Sequence, residues 1–497
     1  MPITYNTASA ETSKGLIAII DIGSNSVRMV VYHALRRVPL PVFNEKYMCA
    51  LGKGLARSGR LNPQGAAQAI EVMGRFLRMA ERMEVASLDV LATAAVRDAE
   101  DGAAFVQQLQ TRYRVKVRVL SGEEEARYGA QGIIASVYDP LGLSADLGGG
   151  SMEVAQVTPR AIGAVASTPL GGLRIADSCE GDIGKMKTLI AKELAKVEWL
   201  GESHPHMLYG IGGGFRALAK LHMKKSHYPL EIMHEYVMSK RAVSDLTEKL
   251  CKCSMAELMV LPGISEKRAA TLIPTALVLQ QLMQHSGARQ VMMSVSGIRE
   301  GFFFDLLPAP IQQEDPLIAS SIDLAALIGR RGKYAKELYQ WMNPLFAHEP
   351  IPWARLRHAL CILSELAWAI DPNFRAQWAY HRIIQSSLKG LDHKERLMLA
   401  LALFHRYQTK WKGEQDALRL LDERERIWAR CVGLAANLAF NLSGGKAGNL
   451  HHASLQVHES RVTLTLDEEA SPLRTETVEK RLDGLGDAFR AFANFVI

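Results

Sequence analysis

One arrangement of residues occurs twice in this chain and constrains its fold more than any other feature. At residues 15–35 an apolar run leads to Asp21, a turn of glycine and small polar residues follows, and a second apolar run continues. The same order recurs at residues 141–157 around Asp146. Apolar runs separated by such residues are typical of strands joined by a tight turn. We therefore predict two related domains, each beginning with a hairpin that carries an acid at its turn.

Strands and helices alternate after both hairpins. In the first half, Asn62 followed by proline has the order expected at a helix start, and Ser121 with Glu124 predicts a capping box that opens the helix containing Glu125. Such alternation indicates α/β domains with mixed sheets, and 497 residues are enough for two or three domains. The predicted domains are residues 1–139, 140–307 and 308–497, the last one mostly helical and preceded by a proline-rich linker at 306–316.

Composition argues against several classes of protein. Hydrophobic residues make up 48% and charged residues 22%, and no apolar run approaches the ~20 residues of a membrane span. The first 15 residues are polar and lack the apolar stretch of a secretion signal, so we expect a disordered lead-in and a cytoplasmic protein. The six cysteines show no paired spacing for zinc. A net charge of +7 favours an anionic partner, whereas 7% aromatic residues do not suggest sequence-specific recognition of nucleic acid.

The two hairpin turns combine anion-binding groups with an acid. Glycines let the backbone approach a ligand, and successive N–H groups with serine hydroxyls form a nest for a phosphate. The acid in each turn would repel a phosphate unless it holds Mg²⁺ or a metal-bound water. A single turn of this kind is more often an ordinary hairpin, but two at matching places favour a phosphate clamp. The candidate phosphate-binding residues are Gly23, Ser24, Asn25 and Ser26 in the first turn, Gly148, Gly149, Gly150 and Ser151 in the second, and Gly212, Gly213 and Gly214 at a later strand end.

Arg97 is a further candidate for binding phosphate. The segment 93–99 is predicted to close a strand with this arginine, and a planar guanidinium matches the geometry of a phosphate. A single arginine at such a place is more often only solvated.

Five motifs in this order, DIGSNS, TAAVRDA, SGEEEAR, DLGGGS and GIREG, resemble the exopolyphosphatase/guanosine pentaphosphate phosphatase family over residues 16–306. That family belongs to the actin-like ATPase and sugar-kinase folds. The resemblance implies two actin-like (ribonuclease H-like) α/β domains that close on a cleft, followed by a mostly helical HD-like domain. It also implies that Glu125 is the general base that activates water and that Asp146 and Glu153 are further catalytic acids. Asp21, Asp146 and Glu153 would hold the metal, and Arg97 would bind phosphate.

The third domain differs from an HD phosphohydrolase in its metal-binding pair. That fold needs adjacent histidine and aspartate, and Ser364 and Glu365 stand near the expected place, so we expect no second metal site. Between positions 375 and 412 eight basic residues stand against two acidic ones, which suggests a track for a polyanion. A salt-bridged helical surface is the alternative. The track residues singled out are Arg382, Lys389, Arg406 and Lys410.

Together these features favour an exopolyphosphatase that releases the terminal phosphate of inorganic polyphosphate. Hydrolysis of pppGpp to ppGpp by the same chemistry, a non-catalytic alarmone or nucleotide sensor, and a small-molecule kinase stay open as alternatives. Mg²⁺ is the implied cofactor, and whether a monovalent cation such as K⁺ also binds is open. The longer family members suggest a homodimer.

Overall fold

The computed structural model describes residues 15–327, 333–411, 416–458, 461–489 and 492–496. The segment 1–14, most of the predicted lead-in, lies outside these residues. The chain forms two compact units, residues 1–314 and 315–497. Among the described residues, no helix is both long and apolar enough to cross a bilayer.

The first unit begins with a five-stranded sheet in the spatial order β3-β2-β1-β4-β5. β1 pairs antiparallel with β2 and parallel with β4, so a meander is followed by helical crossovers. Its strands are β1 (Ile17–Ile22), β2 (Val27–Tyr32), β3 (Pro41–Tyr47), β4 (Ser87–Ala92) and β5 (Val117–Val119). The helices of this half are α1 (Leu55–Ser58), α2 (Pro63–Arg82), α3 (Ala94–Asp98), α4 (Gly102–Tyr113) and α5 (Gly122–Ser136).

A six-stranded sheet follows in the order β10-β11-β9-β6-β7-β8. Its strands are β6 (Gly142–Leu147), β7 (Met152–Val157), β8 (Ile162–Thr168), β9 (Met207–Ile211), β10 (Tyr236–Ser239) and β11 (Gln290–Met293). The helices are α6 (Gly172–Cys179), α7 (Ile183–Ala195), α8 (Glu198–Gly201), α9 (Gly213–Lys225), α10 (Lys240–Cys251), α11 (Met255–Met259), α12 (Glu266–His285), α13 (Ile298–Asp305) and α14 (Ala309–Gln312).

The two sheets repeat one topology. Strands β6, β7, β8, β9 and β11 take the places of β1 to β5, and β10 is added at the edge. Both opening hairpins close through the same bond, because the N–H of Gly23 donates to the Ser26 carbonyl and that of Gly148 to the Ser151 carbonyl, each at 3.0 Å. The predicted repeat of two hairpins is confirmed.

The predicted helix starts are confirmed as well. The Asn62 side chain accepts from backbone N–H groups at the start of α2, and the Ser121 hydroxyl accepts from the Glu124 N–H at 3.1 Å in a capping box. The segment 93–99 is corrected: β4 ends at Ala92 and α3 follows, so Arg97 lies on a helix rather than at a strand end. The edge strands β3 and β10 have no counterpart among the predicted strands.

Close packing of α5 against α13 positions Glu125. A Cβ on Gly301 would lie 1.8 Å from the Tyr128 carbonyl oxygen, and a Cβ on Gly132 would lie 2.6 Å from the Gly297 carbonyl oxygen. Only glycine lets the two helices approach so closely. Although α5 precedes the second hairpin in sequence, it also contacts β6, β7 and β8, which brings Glu125 beside the second sheet.

The second unit is mostly helical, as predicted. Its helices are α15 (Pro316–Leu327), α16 (Lys333–Met342), α17 (Ile351–Leu363), α18 (Arg375–Gln385), α19 (His393–Tyr407), α20 (Glu423–Ser443) and α21 (Glu476–Phe489). The predicted strand pair near the end is confirmed as antiparallel β12 (Ala453–His458) and β13 (Arg461–Leu466). A third strand, β14 (Phe492–Val496), pairs parallel with β13 and has no predicted counterpart.

Candidate active site

A pocket of about 500 Å³ lies in the first unit where the two hairpin turns meet. All candidate phosphate-binding residues of the two turns line it, as do the three glycines from Gly212 to Gly214. The four acids singled out by the sequence, Asp21, Glu125, Asp146 and Glu153, line it too. The fold therefore brings together groups that lie up to 193 positions apart in the sequence, from Asp21 to Gly214.

The two turns are in contact. A Cβ on Gly149 would lie 3.2 Å from the Ser24 Cβ, and a Cβ on Gly150 would lie 3.4 Å from the Ser24 Oγ. The Ser24 carbonyl accepts from the Gly52 N–H at 2.7 Å, which fixes the first turn from behind. Larger residues in the second turn would push the two turns apart.

Three helices of eight or more residues begin at this pocket, and the short α3 also starts there with Ala94. The first residues of α6, α9 and α13, which are Gly172, Gly213 and Ile298, line it. Helix N-termini carry unpaired N–H groups and a partial positive charge, so they favour an anion. Gly212, before α9, has a φ of 103°, and a Cβ there would lie 2.5 Å from the Leu147 carbonyl oxygen. The glycine run at 212–214 and the GIREG motif at the start of α13 were readable in the sequence, whereas the arrival of α6 was not.

Three carboxyl groups lie together at one part of the wall. Glu125 and Glu153 are each 3% exposed, and Asp146 is the cross-strand partner of Glu153. Burial and the Glu153 charge raise the pKa of Glu125 to about 9. Burial raises the pKa of Glu153 to about 7 even though the Ser167 hydroxyl donates to it at 2.9 Å, and burial raises the pKa of Asp146 to about 6. Such shifts are typical of groups that exchange protons during catalysis.

Arg97 contacts Glu125 rather than the cavity. Its guanidinium forms an ion pair with the Glu125 carboxylate, donates to the Leu120 carbonyl at 3.0 Å and lies 3.2 Å from Asp98. Arg97 is absent from the pocket lining within the described residues. The ion pair orients the Glu125 carboxylate and favours its charged form. Direct binding of phosphate by Arg97 stays a prediction.

Five basic side chains also line the pocket: Arg28, Lys46, Arg216, Arg268 and Arg299. They come from five different elements, β2, β3, α9, α12 and α13. Sequence reasoning did not identify them as site residues. Arg28, Arg268 and Arg299 lie in stretches that the sequence singled out, but no local pattern marks any of the three as a ligand. Their common position depends on tertiary packing.

The two turn aspartates have different surroundings. Arg299 Nη1 lies 3.5 Å from Asp21 Oδ2, and burial raises the pKa of Asp21 against the opposing Arg299 charge. Within the described part of the chain, no hydrogen bond or ion pair reaches the Asp146 carboxylate. Equivalent positions of the repeat thus carry one paired carboxylate and one open carboxylate.

The acids fit a divalent cation that is completed by other ligands. No group of three or more His, Cys, Asp or Glu side chains is arranged as a metal site among the residues that the structure describes. Mg²⁺ commonly uses one or two carboxylates together with waters and substrate phosphates. Asp146 suits that role because its carboxylate is open, whereas Asp21 is already paired with Arg299.

The predicted polyanion track is corrected at Arg406. This arginine is buried in α19, where it forms a 2.8 Å ion pair with Glu365 and lies over the Phe440 ring at 4.2 Å from the ring centroid. It cannot contact a ligand at the surface, because its side chain is buried and its charge is paired with Glu365. The remaining track residues are exposed or half-buried and stay a prediction: Arg382, Lys389 and Lys410.

Comparison with known proteins identifies the family. The model of the Ppx/GppA phosphatase family matches residues 27–309, which include Glu125, Asp146 and Glu153. The chain belongs to the Ppx/GppA phosphatase family. A second model, of the exopolyphosphatase C-terminal domain, matches residues 317–496.

Relatives of this Ppx/GppA protein include Retrograde regulation protein 2 of Saccharomyces cerevisiae, 24% identical over 92% of this chain and 85% of the yeast protein. An exopolyphosphatase structure from Cytophaga hutchinsonii covers 59% of this chain and 97% of its own, at 21% identity and a TM-score of 0.53. A Ppx/GppA family member from Aquifex aeolicus covers 58% and 96%, at 22% identity and a TM-score of 0.51. The two structures share the fold of the part of this chain that they cover, and the predicted actin-like architecture is confirmed.

Proposed function

We propose that this chain is an exopolyphosphatase, which hydrolyses the terminal phosphoanhydride of inorganic polyphosphate and releases orthophosphate. One observation carries the proposal: a buried carboxyl, Glu125, lies in the wall of a pocket to which two turns and several helix N-termini bring anion-binding N–H groups. A site that only binds a polyanion has no use for a buried acid, because that acid repels the ligand. A hydrolase needs it to orient and deprotonate the attacking water.

The pocket supplies the remaining requirements of phosphoryl transfer. The N–H groups of both turns and of three helix N-termini neutralise charge that develops on the phosphate oxygens. Arg97 holds the Glu125 carboxylate in place. The proton taken from water goes to Glu125 itself, since burial and the neighbouring Glu153 charge raise the pKa of Glu125 to about 9. These residues need to position their reactants but need not form a covalent intermediate.

Asp146, together with Glu153, would hold Mg²⁺ through oxygen ligands. When bound, Mg²⁺ supplies charge neutralisation for the phosphates. Asp21 lies 3.5 Å from Arg299, and its predicted role as a metal ligand stays a prediction. A homodimer, a cytoplasmic location and a K⁺ site stay predictions.

Two alternative functions can each be compared with a specific observation. Hydrolysis of pppGpp uses the same chemistry, but no aromatic side chain that could stack on guanine lines the pocket in the described ranges. A sensor without activity is suggested by the name of the yeast relative, which is a regulation protein. The buried Glu125 favours hydrolysis over sensing.

The test is phosphate release from long-chain polyphosphate, pppGpp and ATP. We expect Glu125→Gln to lower the rate on polyphosphate by about 10²–10⁴-fold, the usual contribution of a general base. Glu123→Gln is the matched control, because Glu123 lies on the same helical turn, is exposed and is not part of the pocket. Release from pppGpp alone would refute the polyphosphate assignment. Binding of polyphosphate without release by the wild-type protein would indicate a sensor.

A further inference from the structure

The structural repeat places different charges at equivalent positions of the two sheets. Residues directly opposite one another on neighbouring strands lie on one face of a sheet. Across β1, β2 and β3 the opposite residues are Asp21, Arg28 and Lys46, here called the basic row. Across β6, β7 and β8 they are Asp146, Glu153 and Ser167, here called the acidic row. Both rows begin at a turn aspartate, but only the acidic row continues with a carboxylate, and Glu125 lies beside it.

Lys46 ends the basic row without an acid to neutralise it. Its side chain is exposed and lines the pocket, and no hydrogen bond or ion pair reaches its ammonium group within the described residues. Burial and repulsion by Arg268, Arg28, Arg216 and Arg299 lower the pKa of Lys46. Like charges gathered at one end of a pocket are unfavourable unless an anion lies among them. Arg28, Arg216 and Arg299 each lie near a carboxylate, whereas no carboxylate of the described residues raises the pKa of Lys46 or Arg268. The pocket therefore has one part with carboxyl groups, around Glu125 and Glu153, and one part where these two cations are not neutralised.

Resting on the proposed function, we infer that the reacting end of the polyphosphate lies at the acidic row and that Lys46 binds a phosphate further along the same chain. Strands in a sheet lie ~4.8 Å apart, so the backbone at Lys46 is about 10 Å from the backbone at Asp21 across the basic row, and the acidic row belongs to the other sheet. That distance exceeds the reach of a single phosphoanhydride and spans several phosphate units. Lys46 is thus a residue for substrate specificity, which acts on binding and not on the chemical step.

The experiment compares Lys46→Gln with the wild-type protein on long-chain polyphosphate. We expect KM to rise about fivefold with kcat changed less than twofold, because one exposed charge contact is lost. Pyrophosphate binding should not change, since pyrophosphate is too short to reach Lys46. Lys46→Arg keeps the charge and should restore KM. Lys53→Gln is the matched control, because Lys53 is an exposed lysine on the following segment that does not line the pocket.

Calorimetric titration of long-chain polyphosphate separates this inference from the proposed function, because titration needs no turnover. Weaker binding to Lys46→Gln than to wild type and to Lys53→Gln supports the inference even if no phosphate is released. Unchanged KM and unchanged binding in Lys46→Gln would overturn it. An equal loss in Lys46→Gln and Lys53→Gln, or an equal loss for pyrophosphate, would overturn it as well.

Discussion

The crowded carboxyls of the active site should make the first unit less stable as pH rises, and Glu153→Gln should remove the part of that dependence that Glu153 contributes. Glu153 is 3% exposed, and burial raises its pKa from an ordinary 4.5 to about 7. The folded state then binds this proton more tightly than the unfolded chain does. The contribution of Glu153 to the free energy of unfolding is therefore most favourable at low pH, and it is lost as pH rises from about 4.5 through about 7.

The size of the effect follows from the shift. A displacement of roughly 2.5 pKa units corresponds to about 3.4 kcal/mol in full, of which about 2.5 kcal/mol falls between pH 5 and pH 8. Relative to wild type, Glu153→Gln should become more stable by that amount over this interval. Any change that Gln causes in the hydrogen bond from Ser167 is independent of pH and cancels in the difference.

Amide hydrogen exchange is the suitable measurement. Six of the seven tryptophans lie beyond residue 314, so tryptophan fluorescence would report mainly on the second unit. Amides of core strands such as β6 and β7 exchange through the larger opening events. The exchange ratio of wild type to variant in these strands should change by about 70-fold between pH 5 and pH 8, with β12 and β13 as the internal reference. A ratio that is the same at both pH values would refute the idea that buried Glu153 titrates near neutral pH.

Two further predictions concern packing and buried charge. Gly301→Ala places a Cβ 1.8 Å from the Tyr128 carbonyl oxygen, so we expect a loss of about 1–3 kcal/mol in thermal denaturation together with lower activity. The control Gly484→Ala, where nothing lies within 4 Å, should be neutral or stabilising by about 0.5–1 kcal/mol, and equal effects at both positions would contradict the packing argument. Arg406→Gln removes the buried guanidinium that pairs with the Glu365 carboxylate and should cost about 3–5 kcal/mol, read by tryptophan fluorescence during denaturation. Adding Glu365→Gln should recover part of that loss, and a double variant no more stable than Arg406→Gln would argue against an uncompensated buried charge.

Local features were readable from the sequence because they depend on neighbours in the chain. The hairpin bonds of Gly23 and Gly148, the capping box of Ser121 with Glu124, and the strand pair β12–β13 follow from turn residues, cap residues and alternating patterns. The matching of Asp21 with Asp146 was also visible, since both stand at the same place in a repeated pattern.

The sequence by itself thus determined the two hairpins, the α/β class and the identity of the acids. Only the tertiary structure decided what each charged side chain faces. The basic side chains of the pocket come from five separate elements, and no local sequence pattern indicates that these side chains lie together. Arg97 pairs with Glu125. Arg406 lies in a stretch rich in basic residues, which predicts a surface position, but it is buried and pairs with Glu365. The physical reason is that a buried charge is stable only beside an opposite charge or a hydrogen-bonding group. The packing of helices and sheets determines which such group lies close enough, and that group is often far away in the sequence.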